Sequence, residues 1–233
     1  KIYDDATELV KGALVNPERM RMQLLSTGKI LITANRQNYD YDYQMPANHK
    51  VTLTGADKWS DPLADIVGDI QEIQQTMDDD RGVQLTKAIC TRKTWGYIMK
   101  NQAIRLDMNP LGGQNIIMTD ALMRQYLLNK LGISISVYNK KYELQDGSSH
   151  LYYPDDYITF IPDGTLGNTY FGTTPEEADL MSGATVAQVN IVETGVAITT
   201  IKEPHPVNVQ TIVSEITLPS FESIDNIYIV KVA

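Results

Sequence analysis

The chain has 233 residues, 42% of them apolar and 21% charged. That describes a globular protein of one or two domains, able to bury roughly 70–75% of the surface its unfolded chain would expose. The formal net charge is −9 and unevenly spread: residues 1–141 hold 18 Lys/Arg against 16 Asp/Glu, residues 142–233 hold 2 against 13. An acidic half of that size argues against a protein that grips phosphates.

In chain order, residues 4–27 read as helix in two parts. Ala6, Leu9, Val10, Ala13 and Leu14 recur at helical spacing, and Asn16-Pro17-Glu18 looks like a fresh start, with a kink near Pro17. Met20, Leu24 and Leu25 continue the stripe to a cap at Gly28. Lys29 to Ala34 is a strand. Tyr39, Tyr41 and Tyr43 alternate with Asp40 and Asp42 in another, tyrosines on one face and acids on the other. Trp59-Ser60-Asp61-Pro62 opens a helix whose apolar face is Leu63, Ile66, Val67, Ile70, Ile73 and Met77. Asp78-Asp79-Asp80 oppose a helix dipole and are expected beyond its last turn.

Leu85 to Ile89 is a strand and Arg92 to Lys100 a helix. Asn109 to Gly113 is a turn, whose glycine pair lacks the Lys-Ser/Thr of a phosphate loop. Thr119-Asp120 caps a helix with Leu122, Tyr126, Leu127 and Leu131, closed by Gly132. Ile133–Tyr138 and Lys141–Leu144 read as a hairpin about Asn139-Lys140. Asp146-Gly147-Ser148-Ser149 is a turn, Tyr157–Ile161 a strand, and Thr174-Pro175-Glu176-Glu177 a helix start. From Thr185 the sequence is strand again. Alternation over Val196 to Ile201 breaks at Glu203-Pro204-His205-Pro206 and resumes through Val207, Val209, Thr211 and Val213. It breaks once more at Leu218-Pro219-Ser220 and ends on Ile227–Val232. Helices and largely antiparallel strands without regular βαβ alternation make an α+β fold.

No stretch carries a catalytic signature. His49, His150 and His205 have neither an i, i+4 partner nor a zinc-protease context. No serine sits in a nucleophile elbow. Asp40 and Asp42 could suggest a metal, but no third ligand is placed by sequence, so a solvated strand face is the expectation. Cys90 is the sole cysteine; it excludes an intrachain disulfide, suits a reducing cytoplasm and is expected as a small buried hydrophobe. No apolar run nears the ~20 residues a membrane helix needs, and no signal-like segment opens the sequence. The first residue, Lys1, points to a fragment with more chain upstream. Catalytic, cofactor and metal residues are therefore expected to be none.

Three strings carry a resemblance: ERMRMQLLSTGKILI, WSDPLADIVGDIQEI and TGVAITTIKEPHPVNVQTIVSEITLPSFESIDNIYIVKVA. In this order they resemble the major head proteins of lambda-type phages, the capsid E family. The resemblance implies the tailed-phage major capsid fold. Residues 1–28 would be its spine helix. Residues 29–55 would pair with 186–212 in a peripheral β-rich domain. Residues 56–185 and 213–233 would form the axial domain. Family members also have an N-terminal arm and an extended two-stranded loop before the spine helix; this sequence starts at that helix and contains neither. Implied partners are copies of itself in pentamers and hexamers, with head decoration, scaffold and portal proteins. Sequence-specific nucleic-acid binding and membrane association are not implied. The setting would be the virion, assembled in the host cytoplasm. The competing readings are a hydrolase using paired carboxylates, which needs a deep pocket with two close acids, and a non-phage compartment shell of related fold. The acidic half is either a solvated face or a surface that meets the near-neutral half of another copy.

Overall fold

The computed structural model describes residues 5–34, 37–112, 117–144, 146–183, 188–192, 195–205 and 207–233. Helix α1 (Asp5–Thr27) runs on with Pro17 inside it, so the restart expected at Asn16 does not occur. A proline inside a helix loses a hydrogen bond and costs ~3 kcal/mol. Here its ring is buried while Asn16 is exposed, and that burial offsets part of the loss. Strands β1 (Lys29–Ala34) and β2 (Gln37–Asp42) form a two-stranded antiparallel sheet, with Ile30 opposite Tyr41 and Leu31 opposite Asp40. The tyrosines and aspartates take opposite faces, as the alternation predicts.

After β3 (Lys50–Thr52), helix α2 (Ile66–Arg81) starts later than the Ser-Asp-Pro signal suggests. Asp65 is its cap, accepting from the Gly68 N–H at 3.0 Å. The Trp59 N–H is already committed to the Val232 carbonyl at 2.9 Å, and residues 58–64 turn instead, with Leu63 72% exposed. The three aspartates lie within the last turn, not beyond it. Arg81 in that turn and contacts from Asn48 and His49 to Asp80 compensate the dipole, and Gly82 closes the helix at φ 62°.

Strand β4 (Leu85–Cys90) and helix α3 (Arg92–Lys100) follow as predicted. Helix α4 (Gln102–Met108), capped by Asn101, was not legible as a separate element. Helix α5 (Asp120–Leu131) has the predicted Thr119 cap and Gly132 end. Strands β5 (Ser134–Val137) and β6 (Lys141–Glu143) do not form the expected hairpin. β5 pairs in parallel with β4, placing Ile135 opposite Ala88, and β6 pairs with β7 (Ser149–Leu151). Ile133 and Ile135 are both 1% exposed; a hairpin with the polar β6 would not have buried them. Strand β8 (Tyr157–Pro162), β9 (Thr169–Gly172), helix α6 (Pro175–Ser182), β10 (Gln188–Val192), β11 (Val196–Pro204), β12 (Val207–Pro219) and β13 (Tyr228–Lys231) complete the order. Gly113 of the predicted turn, the domain edges expected at 185 and 186, and Pro206 lie outside the described residues.

The chain divides into two compact units, Lys1–Arg21 with Gly167–Ser220, and Met22–Leu166 with Phe221–Ala233. The first holds an antiparallel sheet in the order β10-β11-β12-β9. Gly195 is buried at the β10–β11 turn with φ 147°, and a Cβ there would lie 2.7 Å from the Phe171 Cβ, so backbone and packing both require glycine. The second unit holds a mixed sheet in the order β3-β13-β8-β4-β5. Ala88, Cys90, Ile135, Ile158, Phe160, Tyr228 and Val230 share one face by register and form a core with Ile70, Met77, Trp95, Ile98 and Leu127 of the helices. On the other face Thr159 donates to the Leu25 carbonyl and meets the buried Tyr153 hydroxyl at 2.8 Å.

The expected pairing of 29–55 with 186–212 is corrected. Among the described residues β1 and β2 pair with each other, β3 joins the sheet of β13, and β10 to β12 take β9 as their fourth strand. Register decides this: β9 lies beside Ile216–Pro219, and β10 beside the first half of β11.

Candidate functional site

Most of the described residues able to carry chemistry are absorbed by local structure. His49 is 1% exposed, with Nε2 3.3 Å from Asp80 Oδ2, where Asn48 also donates. His150 stacks on Tyr142 at 5.8 Å. Its Nε2 lies 2.9 Å from Ser148 Oγ, which itself donates to Asp146 at 2.5 Å. A serine that gives its proton to a carboxylate leaves the histidine to donate, the reverse of what nucleophile activation needs. His205 is exposed at the β11–β12 turn. Cys90 is fully buried, and burial pushes its thiol up to about 12, opposed only in part by Arg124; the thiol is an inert core group.

The carboxylates tell the same story. Asp42 and Asp40 lie 2.8 and 3.7 Å from Lys29 Nζ. The bond from Lys29 holds Asp42 below its usual range. Asp69 is raised, first by burial, while the Trp59 indole at 2.7 Å pulls it part way back. Its neighbour Asp65 is committed to the Gly68 N–H, so the two do not form an acid–base pair. Asp120 is held low by Arg92 at 2.5 Å and by the Trp95 indole. Among the described residues no group of three or more His, Cys, Asp or Glu could hold a metal ion.

What stands out instead is exposed apolar surface. On the sheet of the first unit Tyr170 faces Leu218 across the β9–β12 pair, with Ile216 two residues along on the same side. They are 60, 46 and 49% exposed. In the second unit Met108, Leu122 and Tyr126, with the polar Gln125, Asn129 and Lys130, line a shallow groove of ≈ 370 Å³ between α4 and α5. Sequence reasoning missed both. A signal for the first was present: Ile212, Ile216 and Leu218 on one face of β12, and Val209 and Val213 on the other, give a strand with two faces to cover.

A family model described as phage major capsid protein E matches residues 2–232. The chain belongs to this family. Among solved structures, a chain described as a prophage capsid protein of E. coli CFT073 superposes with a TM-score of 0.70 at 16% identity, over 98% of this chain and 66% of that one. A phage-related protein of Bordetella bronchiseptica RB50 gives 0.60 at 13% identity, over 97% and 65%. At such identities the likeness speaks for the fold alone, a capsid-type α+β architecture. The capsid-family chain spans about two thirds of the length of these two neighbours. No curated protein matches it. Among its described residues no helix is long and apolar enough to cross a membrane.

Proposed function

We propose that this chain is a shell-building subunit, the major capsid protein of a tailed phage or prophage head, with a structural rather than enzymatic role. The observation that carries the reading is the family match over residues 2–232. The described side chains agree with it: His49, Cys90, Asp42, Asp65 and Asp120 are taken up in packing, capping and ion pairs, and apolar side chains such as Tyr170, Ile216 and Leu218 are left exposed. In this reading the subunit meets copies of itself in pentamers and hexamers, beside decoration, scaffold and portal proteins, and becomes part of a virion assembled in the bacterial cytoplasm. The unit of Lys1–Arg21 and Gly167–Ser220 takes the peripheral role, and α1, whose residues belong to both units, is the spine. The unit of Met22–Leu166 and Phe221–Ala233 takes the axial role, with edges that follow the two compact units. A net charge of −9 suits a wall past which packaged DNA must slide, because like charges repel.

Electron microscopy of the protein produced together with its neighbouring head genes tests this. Closed shells or curved sheets are expected. A strictly monomeric species under every condition would overturn the reading.

A further inference from the structure

We propose that strand β12 pairs edge to edge with β12 of a second copy, antiparallel about Gln210, so that two subunits share one continuous sheet. The inference rests on the shell-subunit reading and deepens it by assigning one contact between copies.

On one side β12 is paired with β11 from Val207 to Glu215. On the other side β9 covers Ile216–Pro219 and stops. Among the described residues no strand pairs with that second edge between Asn208 and Glu215. A strand edge turns the N–H and C=O of every second residue outward, and proteins blunt such edges with charge, proline or a bulge. None of these is present: Asn208 to Ser214 holds neither a charged residue nor a proline, and its register with β11 runs without a shift. Val209, Thr211, Ile212 and Val213 are strand formers, and Val209 is 57% exposed. Among the described residues β10 pairs with β11 no further than Thr200, so the far half of the β11–β12 hairpin is a ribbon of two strands. Such a ribbon is marginal in water until another strand or a packed face covers it.

Length, charge and register select the occupant. The other open edges are shorter: β1 and β2 have six residues, β10 five, β5 and β9 four, β3 three. A second β12 matches the open stretch along its length. β2 would also bring Asp40 and Asp42, whereas β12 brings no charged side chain from Asn208 to Ser214. A two-fold axis sets the copies antiparallel, and β9 limits the register. Gly172 takes the place beside Ile216, so the turn at the partner's His205 reaches no further than Glu215. That register puts Gln210 opposite its own copy, Val209 opposite Thr211 on one face, and Asn208 opposite Ile212 on the other. Cross-strand pairs of this kind hold sheets together, and no like charges meet. A contact between identical edges closes after two copies. It joins subunits in pairs and leaves rings of five or six to other surfaces.

Sedimentation velocity of the full chain tests this with Gln210→Glu and Gln210→Lys, at a side chain exposed in the single copy. The parent is expected to form dimers, and each variant alone to associate about tenfold more weakly, because like charges meet on the axis. An equimolar mixture is expected to regain the parent's association, which also shows that both variants are folded. A parent that stays monomeric overturns the proposal, as does either variant pairing as tightly as the parent. So does a mixture no tighter than its components, the result of pairing with an unlike strand. Gln210→Cys gives an independent measure: on oxidation it is expected to form a covalent dimer about tenfold faster than Leu63→Cys, an exposed position in the second unit. Equal rates also overturn the pairing. The shell reading is judged separately, by whether the parent produced with its neighbouring head genes still forms shells.

Discussion

Glu215 lies on β12 with Oε1 buried and without a partner among the described residues. Burial pushes its carboxyl above the ordinary 4.5, and the Arg21 charge pulls it only part way back. The folded chain therefore holds this proton more tightly than the unfolded one. Its favourable contribution is present in acid and is lost as pH rises from 4.5 through the raised folded value. Glu215→Gln removes that loss: the variant should melt about 1–3 °C higher than the parent at neutral pH, with the gap closing below the ordinary glutamate range. A variant that is no more stable at pH 7 would show that Arg21 already compensates the buried charge. None of this could be read from the sequence: alternation puts Glu215 in step with Val209 and Val213 but does not say that this face is covered there. The aspartates of β2 were legible for the opposite reason: Lys29, Asp40 and Asp42 sit on short paired strands close together in the sequence, so their meeting is local.

At the scale of elements, local chemistry was readable and remote pairing was not. The caps of α5 and α6 lie at the predicted Thr119 and Thr174, since a hydroxyl reaching an N–H three residues on depends on nothing distant; Thr91 caps α3 in the same way, though the sequence reading did not name it. The Ser-Asp-Pro signal before α2 misplaced its start, because the sequence could not show that Trp59 was held elsewhere by Val232. β5 was misassigned because its partner β4 precedes it by three helices. The exposed apolar side chains were hidden for a related reason: exposure of Leu218 or Leu122 follows from which neighbour a strand or helix finds. Thr91 tests the capping argument. Its hydroxyl accepts from the Thr94 N–H at 3.5 Å and donates to Asp155 at 2.5 Å, fully buried. Thr91→Val keeps the shape and loses both bonds, and should lower unfolding stability by about 2 kcal/mol in urea titration. A change too small to resolve would mean that water replaces the hydroxyl.

For the molecule as a whole, folding redistributes the charge asymmetry of the sequence. The first unit carries 5 Lys/Arg and 10 Asp/Glu, the second 15 and 19, so both are acidic. The idea of an acidic half meeting a near-neutral half therefore has no counterpart in these two units. Duplex DNA should migrate unretarded with micromolar protein at about 0.15 M salt; a retarded band would reveal a basic surface that these totals conceal. The strand order of the second unit has a further consequence, in time rather than in space. β13 lies between β3 and β8, and its pairing joins Lys50 to Ile229, about 180 residues apart. Until that loop closes, β8 and β3 each present an unsatisfied edge beside buried apolar side chains. Such a sheet gathers slowly and late, and the half-built intermediate is open to strands of its neighbours. For a subunit needed in many copies at once, the race between closing this sheet and pairing wrongly would set how much protein reaches its final form.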